Sequence, residues 1–369
     1  MPAVATAAAP TPPFTAEHEA FRAEVREFVA AELRPHAAEW EAACWFPDSV
    51  FAACAGRGYL GLKYDDRFGY LHDAVFAEEL ARCGSGGLAA GIGAHASIAT
   101  PPVWKFGTAE QKARFLAPAI AGELVGALAI TEPDAGSDVA GIRTRARRVD
   151  GGWVVDGAKT FITNGVRAGF YVCAVKTTED GGHGGLSFLL VEPGEGVRAS
   201  ALAKLGWHAS DTAEIGLSEV FVPEEHLLGE VNRGFYLIMA NFQWERLLMA
   251  LGAVGSMRAA VEKLTSPEAG LGPRGRARVA EVAVLLAAGE AVTYHALRLF
   301  ASGQDAVREV TMAKLQTQRA CVSVHDACLD LLGDDDPEIA RAWRDARLGP
   351  IGGGTDEIMR EILGKTLGL

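Results

Sequence analysis

The sequence predicts an α+β protein with an N-terminal α-helical domain, a middle antiparallel β-sandwich or barrel domain and a C-terminal four-helix bundle. Apolar residues have helical spacing up to about residue 123, short β-rich segments follow up to residue 230, and heptad-like spacing completes the chain. Strands follow strands with no room for crossover helices, which argues against a Rossmann-type sheet. We therefore expect domains at residues 14–123, 124–230 and 231–369, after a disordered tail over residues 1–13.

The N-terminal domain is predicted from apolar residues that recur at spacings of three, four and seven. They favour a helix over residues 14–41, which Pro35 should kink or end. Thr108 and Gln111 have the spacing of a capping box at the start of another helix. The glycine-rich residues 83–102 are expected to form a loop that leads into a closely packed helix. Further helices are expected at residues 47–57, 72–82 and 108–116.

The middle domain is predicted from segments rich in β-branched and aromatic residues, bounded by glycine, aspartate and proline. Asp150-Gly151 and Asp156-Gly157 are typical of hairpin turns. After Gly229 the pattern becomes helical again, and four helices with short loops predict a bundle. These helices are expected at residues 235–264, about 277–301, about 305–332 and from about 356 onward.

Composition and charge argue against several function classes. The formal net charge of −12 and the pI of about 5.3 disfavour a nucleic-acid partner, because phosphate backbones bind basic surfaces. No His/Cys group has metal-site spacing, so no metal is expected. The six cysteines form no CxxC pair and indicate reduced thiols in the cytoplasm. We find no targeting signal at the start and no uninterrupted apolar run that would span a membrane, so no membrane association is expected.

Two turns rich in hydroxyl groups lie in the middle of the chain: ITEPDAGSD at residues 130–138 and KTFITNG at residues 159–165. A planar, electron-accepting ring could sit between two such turns. Together with RDARLGPIGGGTDEIM at residues 344–359, they resemble the acyl-CoA dehydrogenase family over nearly the whole chain. The resemblance implies the fold predicted above, an FAD cofactor and the oxidation of an acyl thioester to its trans-2-enoyl form.

The resemblance also implies which residues contact the flavin. Donors in the two turns would stabilise the charge of the reduced ring, and Gly136 would let the backbone approach it. A glycine-rich turn before the last helix would present free N–H groups to the phosphate, while Asp356 could instead cap that helix. Without a ligand, the first turn would be an ordinary Asp/Gly/Pro turn and Phe161 a core aromatic. The implied contacts are Leu128, Ile130, Thr131, Gly136, Ser137, Phe161, Ile162, Thr163, Gly354, Thr355 and Glu357.

The thioester's α-proton must be removed by a base. Many relatives use a glutamate in the C-terminal glycine-rich turn, where this chain has Gly353. Long-chain and isovaleryl relatives place it on the first helix of the last domain, where the matching residue is Glu245. Apolar neighbours would raise its pKa toward the working pH. The alternatives are a surface glutamate beside Arg246 or a buried ion pair with another helix.

The substrate cleft is likewise implied by the resemblance. Arg246 would meet either the adenosine 3′-phosphate of coenzyme A or a carboxylate. The matching residues are Ser137, Phe242, Gln243 and Arg246.

Three segments depart from the family pattern. Residues 265–278 lack the Arg-x-x-Phe-Gly run and the downstream glutamine that relatives use on the FAD diphosphate, although Arg274 or Arg276 could substitute. Residues 333–337, Gly-Asp-Asp-Asp-Pro, replace a glycine-rich turn with carboxylates that would repel the diphosphate unless the loop turns to solvent. Residues 63–73 are shorter than the corresponding family loop. FAD would then bind weakly or differently, or another subunit would complete the site.

The leading hypothesis is an FAD-dependent dehydrogenase of an acyl-CoA or acyl-carrier-protein substrate, with Glu245 as base. Its electrons would pass to an electron-transfer flavoprotein, and the chain would form a homo-oligomer, a dimer or tetramer. The alternative is a non-catalytic or half-site subunit of a hetero-oligomer with altered FAD binding. A third hypothesis is a flavin oxidase or monooxygenase on the same scaffold.

Overall fold

The computed structural model of the protein describes residues 11–178 and 182–369. Helices come first, a β-sheet follows, and helices complete the chain, which confirms the predicted α+β architecture in three parts. The predicted disordered tail falls mainly on residues 1–10, which lie outside the described residues. Residues 11–13 are described, and the Phe14 N–H donates to the Thr11 carbonyl at 3.0 Å.

The N-terminal helices form where the sequence supplies caps and apolar faces. The predicted capping box is confirmed, because Thr108 and Gln111 exchange two side chain–backbone hydrogen bonds of 3.2 and 3.0 Å. Around Pro35 the first helix changes to a π turn and then a 3-10 turn. The α-helices of this part are α1 Ala16–Phe28, α2 Ala37–Ala43, α3 Ser49–Gly56, α4 Tyr70–Leu80, α5 Gly86–Ala94, α6 Thr100–Phe106, α7 Ala109–Gln111 and α8 Ala117–Ile120.

The loop predicted at the start of residues 83–102 is mostly wrong, since α5 already begins at Gly86. Ser85 accepts a hydrogen bond from the Leu88 N–H at 3.0 Å and so caps this helix. Packing requires glycine within the helix, because a Cβ atom on Gly91 would lie 2.7 Å from the Phe46 ring. Close packing here outweighs the low helix propensity of glycine.

The middle of the chain folds into one sheet. Its strands are β1 Gly126–Ala129, β2 Arg145–Val149, β3 Gly152–Ile162, β4 Phe170–Lys176, β5 Leu186–Val191, β6 Val197–Ala201, β7 Ala213–Pro223 and β8 Leu227–Leu228. The order is β6-β7-β3-β2-β4-β5-β8, with β1 paired to β4. The purely antiparallel prediction needs a correction, because β1 runs parallel to β4 and β2 meets β4 in parallel at Arg145. The β2–β3 hairpin lies between β1 and β4 in the chain and lets β4 return in the same direction as β1.

The two predicted hairpin turns have different outcomes. Asp150-Gly151 joins β2 to β3, as predicted. Asp156-Gly157 is not a turn but a β-bulge inside β3, where the pairing with β7 shifts register. Gly157 has a φ of +155°, and a Cβ atom there would lie 2.4 Å from the Thr144 hydroxyl. The glycine therefore serves a close backbone approach, a role that sequence alone does not separate from a turn.

The last part of the chain packs around three long helices, α9 Gly234–Thr265, α10 Pro273–Ala301 and α11 Val307–Leu332. Two shorter helices follow, α12 Pro337–Ala346 and α13 Asp356–Thr366. The four-helix prediction missed α12, which starts directly after the Asp-Asp-Asp run. Asp336 caps α12 by accepting a hydrogen bond from the Glu338 N–H at 2.8 Å.

The length and composition of helix α10 are relevant to the expectation that no segment would span a membrane. Within the described ranges, it is the one helix long and apolar enough to cross a bilayer by length and composition, although core helices of soluble proteins pass the same test. That expectation was based on the lack of an uninterrupted apolar run, and Glu281 and Glu290 interrupt the apolar sequence of α10. Within the 18-residue apolar stretch of α10, only 33% is buried inside the protein.

Candidate active site

A buried ion pair holds the two hydroxyl-rich turns together. The Lys159 ammonium donates to Glu132 Oε1 at 2.7 Å and to the Ile130 carbonyl at 3.2 Å. Beside it, the Thr160 N–H donates to the Thr131 carbonyl at 2.9 Å. Burial alone would raise the pKa of Glu132, but Lys159 and the surrounding hydrogen-bond donors outweigh burial and hold that pKa below its usual range. The ends of β1 and β3 are thus fixed side by side.

The same two turns leave an aromatic face and several donors open. Phe161 is 68% exposed and has a φ of +58°, a conformation that costs a non-glycine residue energy. Gly136 and Ser137 are exposed, and a Cβ atom on Gly136 would meet nothing nearer than Thr131 Cγ2 at 3.9 Å. Among the described residues, the hydroxyls of Thr131, Ser137 and Thr163 have no hydrogen-bond partner. This is the open, donor-rich arrangement that a flat polar ring requires.

The apolar residues implied as flavin contacts lie differently. Ile162 is buried in the core of the sheet, and Leu128 and Ile130 pack partly against a second core. Ile162 therefore offers only its backbone groups to a ring between the turns, whereas the side chains of Leu128 and Ile130 are half-buried. Phe242 of α9 packs against the same second core as Leu128 and Ile130, which brings α9 next to the first turn.

Hydrogen bonds with residues of other segments hold the second turn in place. The Asn164 side chain donates to the Gly91 carbonyl at 2.8 Å. Asp211 accepts hydrogen bonds from the backbone N–H groups of Val166 and Arg167 at 3.0 and 2.9 Å. These contacts from both sides fix the left-handed conformation at Phe161.

Glu245 of α9 is a carboxylate without a counter-ion. The residue as a whole is half-buried, but its Oε2 atom is shielded from solvent and has no hydrogen-bond partner in the described structure. No salt bridge to Glu245 forms among the described residues, so neither the surface glutamate nor the buried ion pair is found. Burial raises its pKa to about 7, although the nearby charges of Arg246 and Lys314 act in the opposite direction.

Gly353 lies directly beside Glu245. A Cβ atom on Gly353 would be 3.9 Å from Glu245 Oε1. The two chain positions at which relatives carry the base therefore converge on one point, from α9 and from the turn before α13. The φ of +63° at Gly353 suits glycine, and the absent side chain leaves space for the Glu245 carboxylate.

Arg246 is also buried, and its Nε atom has no partner among the described residues. Its guanidinium carbon lies 5.3 Å from the centre of the Phe242 ring. The carboxylate alternative for Arg246 is not met, since no acid of the described chain lies within ion-pair distance. Gln243 is half-buried on the same stretch of α9.

A helix cap and an ion pair fix the C-terminal turn where α13 begins. Thr355 caps α13 by accepting from the Ile358 N–H at 3.4 Å. The suggested cap, Asp356, is instead the first residue of α13, where its carboxylate pairs with Arg319 at 2.7 Å. Glu357 is exposed and forms an ion pair with Arg360 at 3.3 Å.

Sequence reasoning missed three residues that build this site: Lys159, Glu132 and Lys314. Glu132 and Lys159 could have been found from the sequence, because they have opposite charges and occur in the two turns that were expected to lie on either side of one ring. Lys314 lies on α11 and donates to the Gly354 carbonyl at 2.5 Å. Nothing in its local sequence distinguishes it from a surface lysine on an amphipathic helix.

Comparison with known proteins assigns the family. Models of the N-terminal, middle and C-terminal domains of acyl-CoA dehydrogenase match residues 15–123, 127–220 and 232–368. The chain belongs to the acyl-CoA dehydrogenase family. It is 33% identical to the mitochondrial long-chain specific acyl-CoA dehydrogenase of Mus musculus over 96% of this chain and 87% of that protein.

Solved structures agree with this assignment. A probable acyl-CoA dehydrogenase from Mycobacterium abscessus has a TM-score of 0.91 and 36% identity, with 96% of this chain and 99% of that chain covered. The acyl-CoA dehydrogenase of Bacillus anthracis, solved in complex with FAD, has a TM-score of 0.88 and 28% identity, with 97% and 68% covered.

The acyl-CoA dehydrogenase residues present here fit the flavin ring. The three unpartnered hydroxyls supply donors, Phe161 supplies an uncovered aromatic face, and Gly136 leaves open space beside the first turn. Among the described residues, one of the three aspartates expected to repel the diphosphate has a cationic partner. Asp336 caps α12 and pairs with Lys263 at 2.5 Å, while Asp334 and Asp335 are exposed to solvent.

We predict that Lys159→Met lowers the unfolding free energy by about 3–5 kcal/mol, because Glu132 would remain as an unpaired buried charge. Urea unfolding followed by tryptophan fluorescence measures this. Arg148→Met, which breaks the exposed pair with Glu224, is the matched control and should cost less than about 1 kcal/mol. Equal effects of the two variants would contradict the role of the buried pair.

We predict that Glu245→Gln stabilises the protein at pH 8 but not at pH 4.5. The pKa is about 7 in the folded protein and 4.5 in the reference state, so the folded state loses stability as pH rises between these values. The variant should gain about 3 kcal/mol at pH 8, measured by denaturant unfolding at both pH values. Glu357→Gln removes an exposed carboxylate as control. If the stability difference between Glu245→Gln and the wild type were the same at pH 4.5 and pH 8, the Glu245 carboxylate would be hydrated, which would contradict the raised pKa.

Proposed function

We propose that the protein oxidises the α,β-carbon bond of an acyl thioester to a trans-2-enoyl thioester, with Glu245 as the base. The family consists of FAD-dependent oxidoreductases that act on CH–CH groups of acyl-CoA. The observation that carries the proposal is the buried Glu245 carboxylate, unpaired and next to Gly353. FAD, when bound, supplies the acceptor for the hydride that leaves the β-carbon.

The chemistry required of Glu245 matches its surroundings. A base that removes an α-proton needs a pKa near the working pH, and burial raises the pKa of Glu245 to about 7. An acid with its ordinary pKa would be ionised but too weak a base. The shielding of Oε2 from solvent also strengthens the electrostatic interaction of the carboxylate with the substrate.

The remaining cleft residues bind and orient. We propose that Ser137 contacts the thioester arm at the mouth of the cleft, and that Phe242, Gln243 and Arg246 line it from α9. Ser137 is exposed and without a described partner, and the Arg246 Nε atom is buried and unpartnered. Both have hydrogen-bonding capacity to spare. Coenzyme A and a carrier protein both present the acyl group as a thioester, and substrates of both kinds test the proposal.

A non-catalytic subunit of a hetero-oligomer is the second candidate. The altered residues 265–278 and 333–337 favour it. Leu271–Gly275 of the first segment line one open depression of about 570 Å³ together with Leu331, which lies two residues before the second segment. The retained Glu245 and the open flavin turns favour the catalytic proposal.

We further propose that the chain forms a homo-oligomer through α10, is cytoplasmic, and passes electrons to an electron-transfer flavoprotein. The support for the oligomer is a stripe of exposed apolar residues on a helix otherwise suited to burial. Val284 is 67% exposed, and exposed alanines recur around it at helical spacing. These alanines are Ala283, Ala287, Ala288 and Ala291.

We expect the purified protein to show a flavin spectrum that bleaches when an acyl thioester is added without oxygen. A panel of acyl-CoAs and acyl-carrier proteins of different chain lengths provides the substrates. Glu245→Gln should keep the colour and lose bleaching by a factor of at least about 100, the contribution typical of a general base. In the wild type, the bleaching rate should rise with pH through about 7, because Glu245 must be ionised. A protein that stays colourless with added FAD favours the second candidate.

We expect Val284→Glu to shift the protein to a smaller oligomer, because the new charge would be buried against a second copy of the chain. Light scattering after size-exclusion chromatography measures the mass. Ala20→Glu adds the same charge to an exposed site on α1 and should leave the mass unchanged. A monomeric wild type, or an unchanged mass for Val284→Glu, would contradict the proposed interface.

A further inference from the structure

Lys314 is a buried cation that contacts the turn beside the proposed base. Lys314 is fully buried on α11, and its ammonium donates to the Gly354 carbonyl at 2.5 Å. Gly354 follows Gly353, the glycine that lies next to Glu245. A buried charge is costly unless it is used, and a single carbonyl contact does not offset that cost.

The charged groups around Lys314 come from three helices. Glu245 and Arg246 of α9 and Asp356 and Glu357 of α13 lie near enough to influence the pKa of Lys314. On α11 itself, Arg319 pairs with Asp356. No carboxylate of the described chain lies within ion-pair distance of Lys314, so these groups act on it without a direct salt bridge. Burial lowers the pKa of Lys314 to about 8, which leaves it largely charged at neutral pH.

We propose that Lys314 is a positioning residue for Glu245. It fixes the Gly353-Gly354 turn through the Gly354 carbonyl, and together with Arg246 it supplies positive charge that favours the ionised Glu245 carboxylate. The proposal rests on the function proposed above for Glu245. Glu245 has no hydrogen bond among the described residues, so the charges of Arg246 and Lys314 are what oppose its desolvation.

The two effects of Lys314 separate by substitution. Lys314→Gln keeps a donor for the Gly354 carbonyl but removes the charge, whereas Lys314→Met removes both. Lys263→Met is the matched control. It deletes a lysine of α9 that lies 18 residues from Glu245, which is about 27 Å along a helix and beyond the screening length.

The first readout is the ionisation of Glu245 itself. Infrared titration of the purified protein, with the Glu245→Gln spectrum subtracted, reports the protonated carboxyl band. We expect the midpoint to rise by about one pH unit or more in both Lys314 variants, as is typical of a lost neighbouring charge. Lys263→Met should leave it unchanged. An unchanged midpoint in Lys314→Gln would overturn the proposal, and this variant retains the turn contact if Lys314→Met does not fold.

The second readout is the pH dependence of flavin bleaching. The rising limb should move to higher pH in Lys314→Gln by the same amount as the infrared midpoint. A role confined to folding would lower the rate equally at every pH and would also overturn the proposal. If no thioester bleaches the wild type, the dehydrogenase function fails, while the infrared titration still decides the role of Lys314.

Discussion

A carboxylate buried without a counter-ion is the constraint around which this site is built. Desolvation opposes ionisation of Glu245, and the part of the chain that the structure describes supplies no salt bridge to offset it. The protein instead places two cations, Arg246 and Lys314, near enough to affect the pKa without pairing with the acid. The glycine at 353 leaves the adjacent space free. The result is a carboxyl group with a pKa of about 7 on a long helix, beside a turn whose glycine carries no side chain.

Glu132 shows what happens when the counter-ion is present. Glu132 is buried and Glu245 has one carboxylate oxygen shielded from solvent, yet the pKa of Glu132 is lowered and that of Glu245 is raised. The difference is the direct bond from Lys159, together with the backbone donors around Glu132. Glu132 therefore fixes the two turns in place, whereas Glu245 keeps the raised pKa that the proposed base requires. The same residue type has opposite pKa shifts at the two positions.

The three-part fold, the capping box at Thr108 and the choice of Glu245 as the candidate base follow from pattern and family resemblance. What the sequence did not reveal depends on contacts between distant segments. The helix at α5 required close packing on Phe46, the bulge at Gly157 required Thr144 as a neighbour, and α12 required Asp336 to act as a cap. Lys314 was missed because a lysine on an amphipathic helix normally faces water. Local propensity cannot specify such tertiary contacts.

The central claim is that Glu245 faces the α-carbon of a thioester whose other side faces the flavin between Thr131 and Thr163. The most direct test is a crystal structure with FAD and a non-reactive thioether analogue of an acyl-CoA. The account predicts a Glu245 carboxylate oxygen within about 3.5 Å of the carbon that corresponds to the α-carbon, with the flavin ring on the opposite face. A carboxylate turned away from that carbon, or another acid in its place, would contradict it.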